Sequence, residues 1–476
     1  MPWAEGLQPA RMSRVAIVAA DRRLRDTLVE LARSGLMEVD IRPVGERPST
    51  EQAAAFAAGV SDHIAPATRI AADRVTPRVT ARARGVDELE RAERWDLIAG
   101  ELELGRMTAQ AIKRRGAAVL VGWTPRARVA ELSGRLAALG TAVQELPPPA
   151  TAEAPTLLVG PRAGRSLRPL VDTYGTVPYA DIDPALFAGL SYILMFGAMF
   201  GDVGHGMILA ALGLSLRRTH HPALASARRV WALIVGAGLA GAGGGLLYGE
   251  MFGPTGLVPV VWLRPLDQPV MLLVVGVIVG SALLGVSYVI GMANRWREGG
   301  AGRLLYASSG IAGTSAYLGA GAAVTGTVVG SPALQVAGVA TVALGLVLLF
   351  AGFLGAAGGG PTGVLQALVE LFDTIVRTAA NALSFARLAA FGLAHATIGG
   401  IVWAATTALW TSGGAGLPAA ALVFIVGNVL AFALEALVAA LQALRLEYYE
   451  LFSRIFTGEG RVFAPWRVTV IDEEDL

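Results

Sequence analysis

Two long apolar segments near the C-terminal end of the chain carry ionisable residues, and six of these could do chemistry. They are Asp373, Arg377, Arg387 and His395 in residues 364–410, and Glu435 and Arg445 in residues 417–448. Placing an arginine at the centre of a bilayer costs about 2.5–3.5 kcal/mol on insertion scales, so these side chains need water or partners. Carboxylates and imidazoles exchange protons with water, whereas a guanidinium stays charged. These residue types therefore predict an ion path that passes a fixed positive charge.

Four of the six residues share one face of a continuous helix. With Arg387 as origin and about 100° per residue, Asp373 lies at about +40° and both Arg377 and His395 at about +80°. At about 1.5 Å per residue, the face runs from about 21 Å before Arg387 to about 12 Å beyond it. A polar ladder of this length predicts a path across most of a bilayer. The alternative is that the charges pair within a helical bundle and serve folding alone.

The two segments are longer than a bilayer crossing requires. Residues 364–410 would extend about 70 Å as a helix and residues 417–448 about 50 Å, against about 30 Å of hydrocarbon. We therefore expect the last two helices to be long and tilted, kinked or partly outside the bilayer.

Five further apolar runs precede these two segments. They are residues 184–216, 230–248, 269–294, 304–328 and 333–353. Each reaches the roughly 20 residues that a transmembrane helix needs. Arginines in the short loops 217–229 and 295–303 mark the cytoplasmic side. With a cytoplasmic N-terminal part, residues 184–216 must then cross twice, with a break near 201–206.

This count predicts a polytopic α-helical membrane protein of the cell membrane. It has about eight transmembrane crossings and both termini in the cytoplasm. Charge separates a polar head, residues 1–183, from the membrane body, residues 184–476. The head holds 25 Arg and Lys and 23 Asp and Glu, whereas the 293 residues of the body hold 14 of each. The first twelve residues lack the apolar region of a signal peptide, so we expect a cytoplasmic head that starts at Met1 or Met12.

The head contains two strand-helix-strand patterns. They are residues 14–20, 21–35 and 37–43, and residues 117–123, 126–140 and 141–147. We expect an α/β domain of two small lobes joined by helices. The region 48–115 is compatible with either a short coiled coil or a compact helical pair.

The composition excludes several classes of function. Of 476 residues, 54% are hydrophobic, and 39 Lys and Arg balance 37 Asp and Glu, so no basic tract predicts nucleic-acid binding. Cysteine is absent, which excludes disulfides and thiolate chemistry. Lys113 is the only lysine, so there is no Walker A motif, and we expect no nucleotide site in this chain. We also expect no cofactor and no metal.

One segment resembles a known family. NALSFARLAAFGLAHATI (Asn381–Ile398) is similar to the signature of the membrane-embedded stator subunit of V-type and V/A-type rotary ATPases, called subunit a or subunit I. Four other blocks resemble that family in the same order. They are VGWTP (121–125), FGAMFGDVGHG (196–206), YGEMFG (248–253) and LQALRLEYYELFSRIFTGEGRVFAPW (441–466). The head is shorter than the family's usual one, and Phe385 and Ala386 replace the usual Tyr and Leu.

The resemblance implies roles for the membrane charges. Arg387 aligns with the family's essential arginine and Arg445 with a second arginine, both facing a ring of proteolipid subunits. For Arg445, extension to the cytoplasmic edge is the alternative. Glu435, His395 and Asp373 would line two aqueous half-channels. No channel role is implied for Arg377.

Three residues in the other blocks have weaker assignments. Asp202 and His205 would contribute either to the proton path or to packing of a Gly-rich hairpin. Glu250 would lie in a loop or at the mouth of a half-channel.

The resemblance also implies partners and a function. The chain would couple proton or sodium transport through the proteolipid ring to rotation, and so to ATP hydrolysis or synthesis. Its head would bind peripheral-stalk subunits, and the soluble ATPase sector would be reached indirectly. Two other functions remain possible from the residues alone: a secondary transporter with a midplane solute site, and a purely structural anchor for a stalk.

Overall fold

The computed structural model describes residues 8–40, 75–147, 153–158, 166–414, 416–456 and 458–471. These residues form two compact units. The α/β unit comprises the described residues of 9–158 together with 460–471, and the helical unit comprises the described residues of 159–459. This division differs from the expected boundary at 183/184, because residues 166–183 pack with the helices. For example, the hydroxyl of Tyr448 donates to the Leu170 carbonyl oxygen at 2.8 Å.

The α/β unit contains seven described strands and four described helices. The strands are β1 (Met12–Ala20), β2 (Glu38–Val39), β3 (Arg78–Thr80), β4 (Ile112–Arg114), β5 (Ala117–Pro125), β6 (Ala142–Leu146) and β7 (Thr469–Ile471). The helices are α1 (Leu24–Ser34), α2 (Val86–Arg91), α3 (Trp95–Gln110) and α4 (Val129–Ala137). Residues 48–74, part of the region left open between coiled coil and helical pair, lie outside the described residues.

The main sheet of this unit has five strands in the order β2-β5-β1-β6, with β4 paired to β5. β1 is antiparallel to both β5 and β6. This interleaved order is that of a ferredoxin-like βαββαβ fold. The structure therefore differs from the expected two lobes, because the strands of both patterns share one sheet.

The predicted apolar face of α1 lies against this sheet. Leu24, Leu28 and Leu31 recur at helical spacing and are all buried in one core with β1 residues Val15 and Ile17. At the other end of the chain, β7 pairs with β3 in parallel. The last described residues are thus part of the α/β unit.

The helical unit contains twelve described α-helices. They are α5 (Arg168–Tyr174), α6 (Ala185–Met199), α7 (Val203–Arg218), α8 (Ala225–Arg229), α9 (Trp231–Tyr248), α10 (Pro269–Tyr306), α11 (Ile311–Val329), α12 (Pro332–Ala356), α13 (Gly360–Ser384), α14 (Ala386–Thr411), α15 (Gly416–Leu446) and α16 (Ser453–Ile455). The chain breaks between α6 and α7 at residues 200–202, at the edge of the predicted break.

Five helical stretches in the described part of the chain are long and apolar enough to cross a membrane. They are Trp231–Tyr248, Pro269–Tyr306, Pro332–Ala356, Gly360–Thr411 and Gly416–Ile455. The protein is therefore a multi-pass α-helical membrane protein with an N-terminal α/β region. α6 is apolar but has only 15 residues.

The two long C-terminal segments are not regular α-helices throughout. Phe385 interrupts the first between α13 and α14. The second continues from α15 into a π-helical turn, Glu447–Phe452. The backbone of Phe385 keeps right-handed helical angles, with φ −72° and ψ −11°, so the irregularity between α13 and α14 is local.

Candidate functional site

The imidazole of His395 on α14 is paired with the carboxylate of Glu435 on α15. His395 Nδ1 is hydrogen-bonded to Glu435 Oε2. His395 is only 5% exposed, and its other ring nitrogen, Nε2, lies 3.9 Å from Glu250 Oε2. Two predicted site residues that are 40 positions apart in sequence are thus in direct contact, and a third faces them.

Asp202 fixes the start of α7 and the loop after α9. Its Oδ1 accepts a hydrogen bond from the backbone N–H of His205 at 2.9 Å, which caps the helix. Its Oδ2 accepts one from the backbone N–H of Gly253 at 3.0 Å. The same loop holds Glu250, whose carbonyl oxygen accepts from the Val203 N–H at 3.0 Å. These bonds bring Glu250 to the N-terminus of α7.

Close contact between α7 and α9 depends on glycine. A Cβ added to Gly206 would lie 2.3 Å from the backbone nitrogen of Ala242, and one added to Gly238 would lie 2.5 Å from that of Ala210. Small residues let helix backbones approach closely in membrane proteins. Glycines therefore allow the backbones of α7 and α9 to lie in direct contact.

Asp202, His205, Glu250, His395 and Glu435 form what we call the buried polar cluster. Aromatic rings surround it: the ring centroid of Phe200 lies 5.4 Å from that of His395 and 6.0 Å from that of His205. One potential ligand atom each from Asp202, His205 and His395 lies within 4.8 Å of the others, a grouping compatible with a metal ion. The sequence predicted no metal, and this grouping is not visible in sequence because its members are on different helices.

Arg387 lies in the first turn of α14 and is half-buried. Its Nη1 is buried and has no hydrogen-bond partner among the described residues. Arg445, near the end of α15, is exposed. Glu450 lies within electrostatic reach of both guanidinium groups. The two arginines thus share one carboxylate neighbour.

Asp373 lies apart from the buried polar cluster. It forms an ion pair with Arg377, one helical turn away, and both side chains are more than half exposed. The pair lines a cavity of about 200 Å³, whose other lining residues are Ser308, Phe353, Glu370, Thr374 and Arg454. The predicted single polar face is therefore divided into two environments.

Sequence reasoning missed several buried polar residues. Glu447 is fully buried, and its Oε2 accepts a hydrogen bond from the Ser191 hydroxyl at 2.7 Å. Arg454 is buried with its guanidinium carbon 5.4 Å from the centre of the Tyr288 ring. The sequence signal was available, since Glu447 lies at the end of the last apolar run and Arg454 six residues beyond it, but their neighbours come from distant helices.

Comparison with known proteins shows similarity to one family. The model of a family described as the V-type ATPase 116 kDa subunit family matches residues 107–236. The A-type ATP synthase subunit I of Pyrococcus horikoshii is 25% identical over 384 residues, which cover 78% of this chain and 57% of that protein. That of Archaeoglobus fulgidus is 26% identical over 427 residues, with 78% and 61% covered. That of Halobacterium salinarum is 28% identical over 383 residues, with 66% and 52% covered.

The chain is similar to the subunit I family of V/A-type ATPases. This confirms the resemblance on which the site residues were chosen. The chain spans only about half to three-fifths of the length of these curated relatives. The matched residues 107–236 include Asp202 and His205, whereas Arg387, His395 and Glu435 lie beyond them.

Proposed function

We propose that this subunit I protein is the membrane-embedded stator of a V/A-type rotary ATPase. In this proposal it supplies two ion half-channels and a fixed positive charge to a ring of proteolipid subunits. It binds peripheral-stalk subunits through residues 1–183 and contacts the soluble ATPase sector indirectly. Ion passage is thereby coupled to rotation and to ATP hydrolysis or synthesis.

The observation that carries this proposal is the state of Arg387. Its Nη1 is buried without a hydrogen-bond partner among the described residues. A buried donor without a partner costs about 1–3 kcal/mol or more when the group is charged. A carboxylate brought beside it by another subunit would remove that cost. This is the interaction that a ring carboxylate provides in the proposed mechanism.

The mechanism follows from the charge. A carboxylic acid that faces lipid stays protonated, because an isolated carboxylate in hydrocarbon is costly. Beside Arg387 the ionised form is favoured, so the acid releases its proton. The guanidinium is a fixed positive charge, and it therefore blocks a direct passage of ions between the half-channels. Only movement of the ring completes the path.

Two polar regions flank Arg387 along α13 and α14. His395 of the buried polar cluster follows it by eight residues, or about 12 Å of helix, and Asp373 in the cavity precedes it. We assign the two half-channels to these two regions. Glu435, His395 and Glu250 relay protons in the first, with Asp202 and His205 as supporting groups, and Asp373 contributes to the second. Arg445 shares the ring-facing role.

The topology belongs to the same proposal. The eight crossings are α6, α7, α9, α10, α11, α12, the α13–α14 segment and α15, including helices that are shorter or less apolar than the five long stretches. Both termini lie in the cytoplasm, as the arginines in residues 217–229 and 295–303 indicate.

The test is the substitution Arg387→Lys in the chain assembled with its ring and ATPase sector in proteoliposomes. Lysine keeps the charge but not the planar guanidinium, so we expect ATP-driven proton pumping to fall to background. Arg218→Lys, at an exposed arginine near the end of α7, is the matched control and should pump normally. Near-normal pumping by Arg387→Lys would refute the assignment. Solute uptake without ring or ATPase sector would instead support the secondary transporter.

A further inference from the structure

The buried polar cluster has the donor set and the spacing of a metal site. The ligand atoms of Asp202, His205 and His395 lie within 4.8 Å of one another. In a tetrahedral zinc site with bonds of about 2.0–2.1 Å, neighbouring ligand atoms are about 3.4 Å apart. Each pair of ligand atoms would therefore have to move closer by about 1.5 Å or less to reach the geometry of a zinc site. Rotations of the side chains can supply a movement of this size.

The ring of His205 is buried beside Asp202, with Nδ1 3.8 Å from Asp202 Oδ1. The residue is 3% exposed, and neither nitrogen has a hydrogen-bond partner among the described residues. The amide of Asn428, whose nitrogen donates to the Phe424 carbonyl oxygen at 2.9 Å, is the nearest polar side chain from α15. Burying an imidazole without hydrogen-bond partners costs free energy. A bound cation would remove part of that cost by using the lone pair of one ring nitrogen.

Hydrogen bonds from neighbouring groups orient the other two ligands, His395 and Asp202. His395 Nδ1 is hydrogen-bonded to the Glu435 carboxylate, which leaves Nε2 free to bind a cation. This carboxylate-histidine arrangement is the usual support of a zinc-bound imidazole. Asp202 is held by two backbone N–H groups at 2.9 and 3.0 Å, and its oxygens keep lone pairs for a metal. Oε2 of Glu250, buried and without a hydrogen-bond partner, lies 3.9 Å from His395 Nε2.

We propose that Asp202, His205 and His395, with Glu250 as fourth ligand, form a binding site for a divalent transition-metal ion of the zinc class. Imidazole and carboxylate ligands in a four-coordinate arrangement suit Zn²⁺ and do not suit Mg²⁺, which prefers six oxygen ligands. The site lies within the helical unit and needs no second chain.

The site has a consequence for transport that rests on the proposed function. A cation bound to His395 and Glu250 would occupy the lone pairs that relay protons. Zinc would therefore inhibit proton passage by direct competition. Binding itself does not depend on that function and is tested separately.

The experiment measures binding of Zn²⁺ to the full-length chain in nanodiscs. After chelation and buffer exchange, calorimetric titration with Zn²⁺ should show one tight site per chain. X-ray absorption of the zinc complex should show two imidazoles and oxygen ligands without sulfur, at about 2.0–2.1 Å. Bound Zn²⁺ should also raise the unfolding temperature in proportion to the logarithm of its concentration.

Variants identify the ligands. His205→Ala and His205→Gln should each weaken binding by more than about 100-fold, because loss of an outer partner already costs roughly 10–100-fold. Glu435→Gln, which removes only the partner of His395, should fall within that range. The double variant His220→Ala, His221→Ala removes two exposed loop histidines and should bind as the unchanged chain does.

Three results would overturn the proposal. They are the absence of a tight site, binding that survives in both folded His205 variants, and loss of binding in the His220 and His221 variant. The unfolding temperature without Zn²⁺ shows whether each variant is folded. If zinc binds as expected but does not inhibit pumping, the metal site stands and the relay assignment is wrong.

Discussion

The buried polar cluster and the Asp373–Arg377 pair contain similar side chains in opposite surroundings. In the cluster, Asp202, His205, Glu250 and His395 are at most 5% exposed. In the pair, both side chains are more than half exposed beside a cavity. In the proposed half-channel, water in the cavity screens the exposed pair, whereas burial makes each polar contact in the cluster costly to remove. Replacing a carboxylate by its amide should therefore affect proton transport very differently in the two regions.

Between these two regions, the largest effect is expected for Glu435→Gln. The change removes a proton-exchanging carboxylate and the partner of His395. Proton transport by the assembled complex should fall by about 100-fold or more, the contribution of a positioned acid or base. Assembly with the ring, followed by co-purification, should be unchanged. Glu459→Gln, at an exposed position of the same unit, is the control, and equal turnover in both variants would contradict a relay.

Helix packing behind the cluster offers the next contrast. In Gly206→Ala the new methyl group would overlap the backbone of α9. We expect a loss of about 1–3 kcal/mol in the free energy of unfolding, typical of overpacking. Gly243→Ala on α9 is the matched control, since no atom lies within 4 Å of its added Cβ, and it should be neutral or stabilising by up to about 1 kcal/mol. Denaturant titration of the detergent-solubilised chain measures the free energy of unfolding of both variants. Equal values would mean that α7 and α9 can move apart at no cost.

A buried carboxyl outside the membrane-spanning helices extends the contrast to pH. Burial, followed by the nearby Glu298, raises the pKa of Asp181 from 3.8 to about 7. Between these values the folded state holds a proton that the unfolded state has lost. The free energy of unfolding should therefore decrease as pH rises from about 4 to about 7 and level off above. Asp181→Asn should flatten this dependence, while Asp267→Asn, at an exposed residue, should leave it unchanged. If the slope persists in Asp181→Asn, the pH dependence comes from another group.

The smallest effect is expected for Asp373→Asn. Its ion pair with Arg377 is exposed, and such pairs contribute about 0–1 kcal/mol. Stability should change by no more than that. Proton transport should fall much less than in Glu435→Gln, because water in the cavity can replace one exposed carboxylate. A loss of transport as large as that of Glu435→Gln would show that proton transport depends equally on the two regions.

Much of the local structure was predictable because its signal is local. Leu24, Leu28 and Leu31 recur at the period of a helix, and β1 and β5 appear as short apolar runs. The break between α6 and α7 followed from charge and crossing parity. By contrast, β1 pairs with β5 across about a hundred residues. No local pattern specifies such a partner, so two lobes were expected where one sheet exists.

The candidate site was likewise predictable only in part. The family resemblance singled out Asp202, His205, Glu250, His395 and Glu435 one by one. It did not predict that all five would meet, nor that Asp373 would be separate. The helical wheel placed Asp373 and His395 on one side of a helix, but it could not show which other helices pack beside each of them.

The sequence by itself determined which stretches are apolar, which residues carry charge and which family the chain resembles. These properties depend on residue type and short spacing. Only the tertiary structure decided that His395 bonds to Glu435 and faces Glu250, and that an Arg387 donor lacks a described partner. The reason is physical: burial and contact depend on how distant helices pack, and that packing follows from close approaches such as Gly206 against α9.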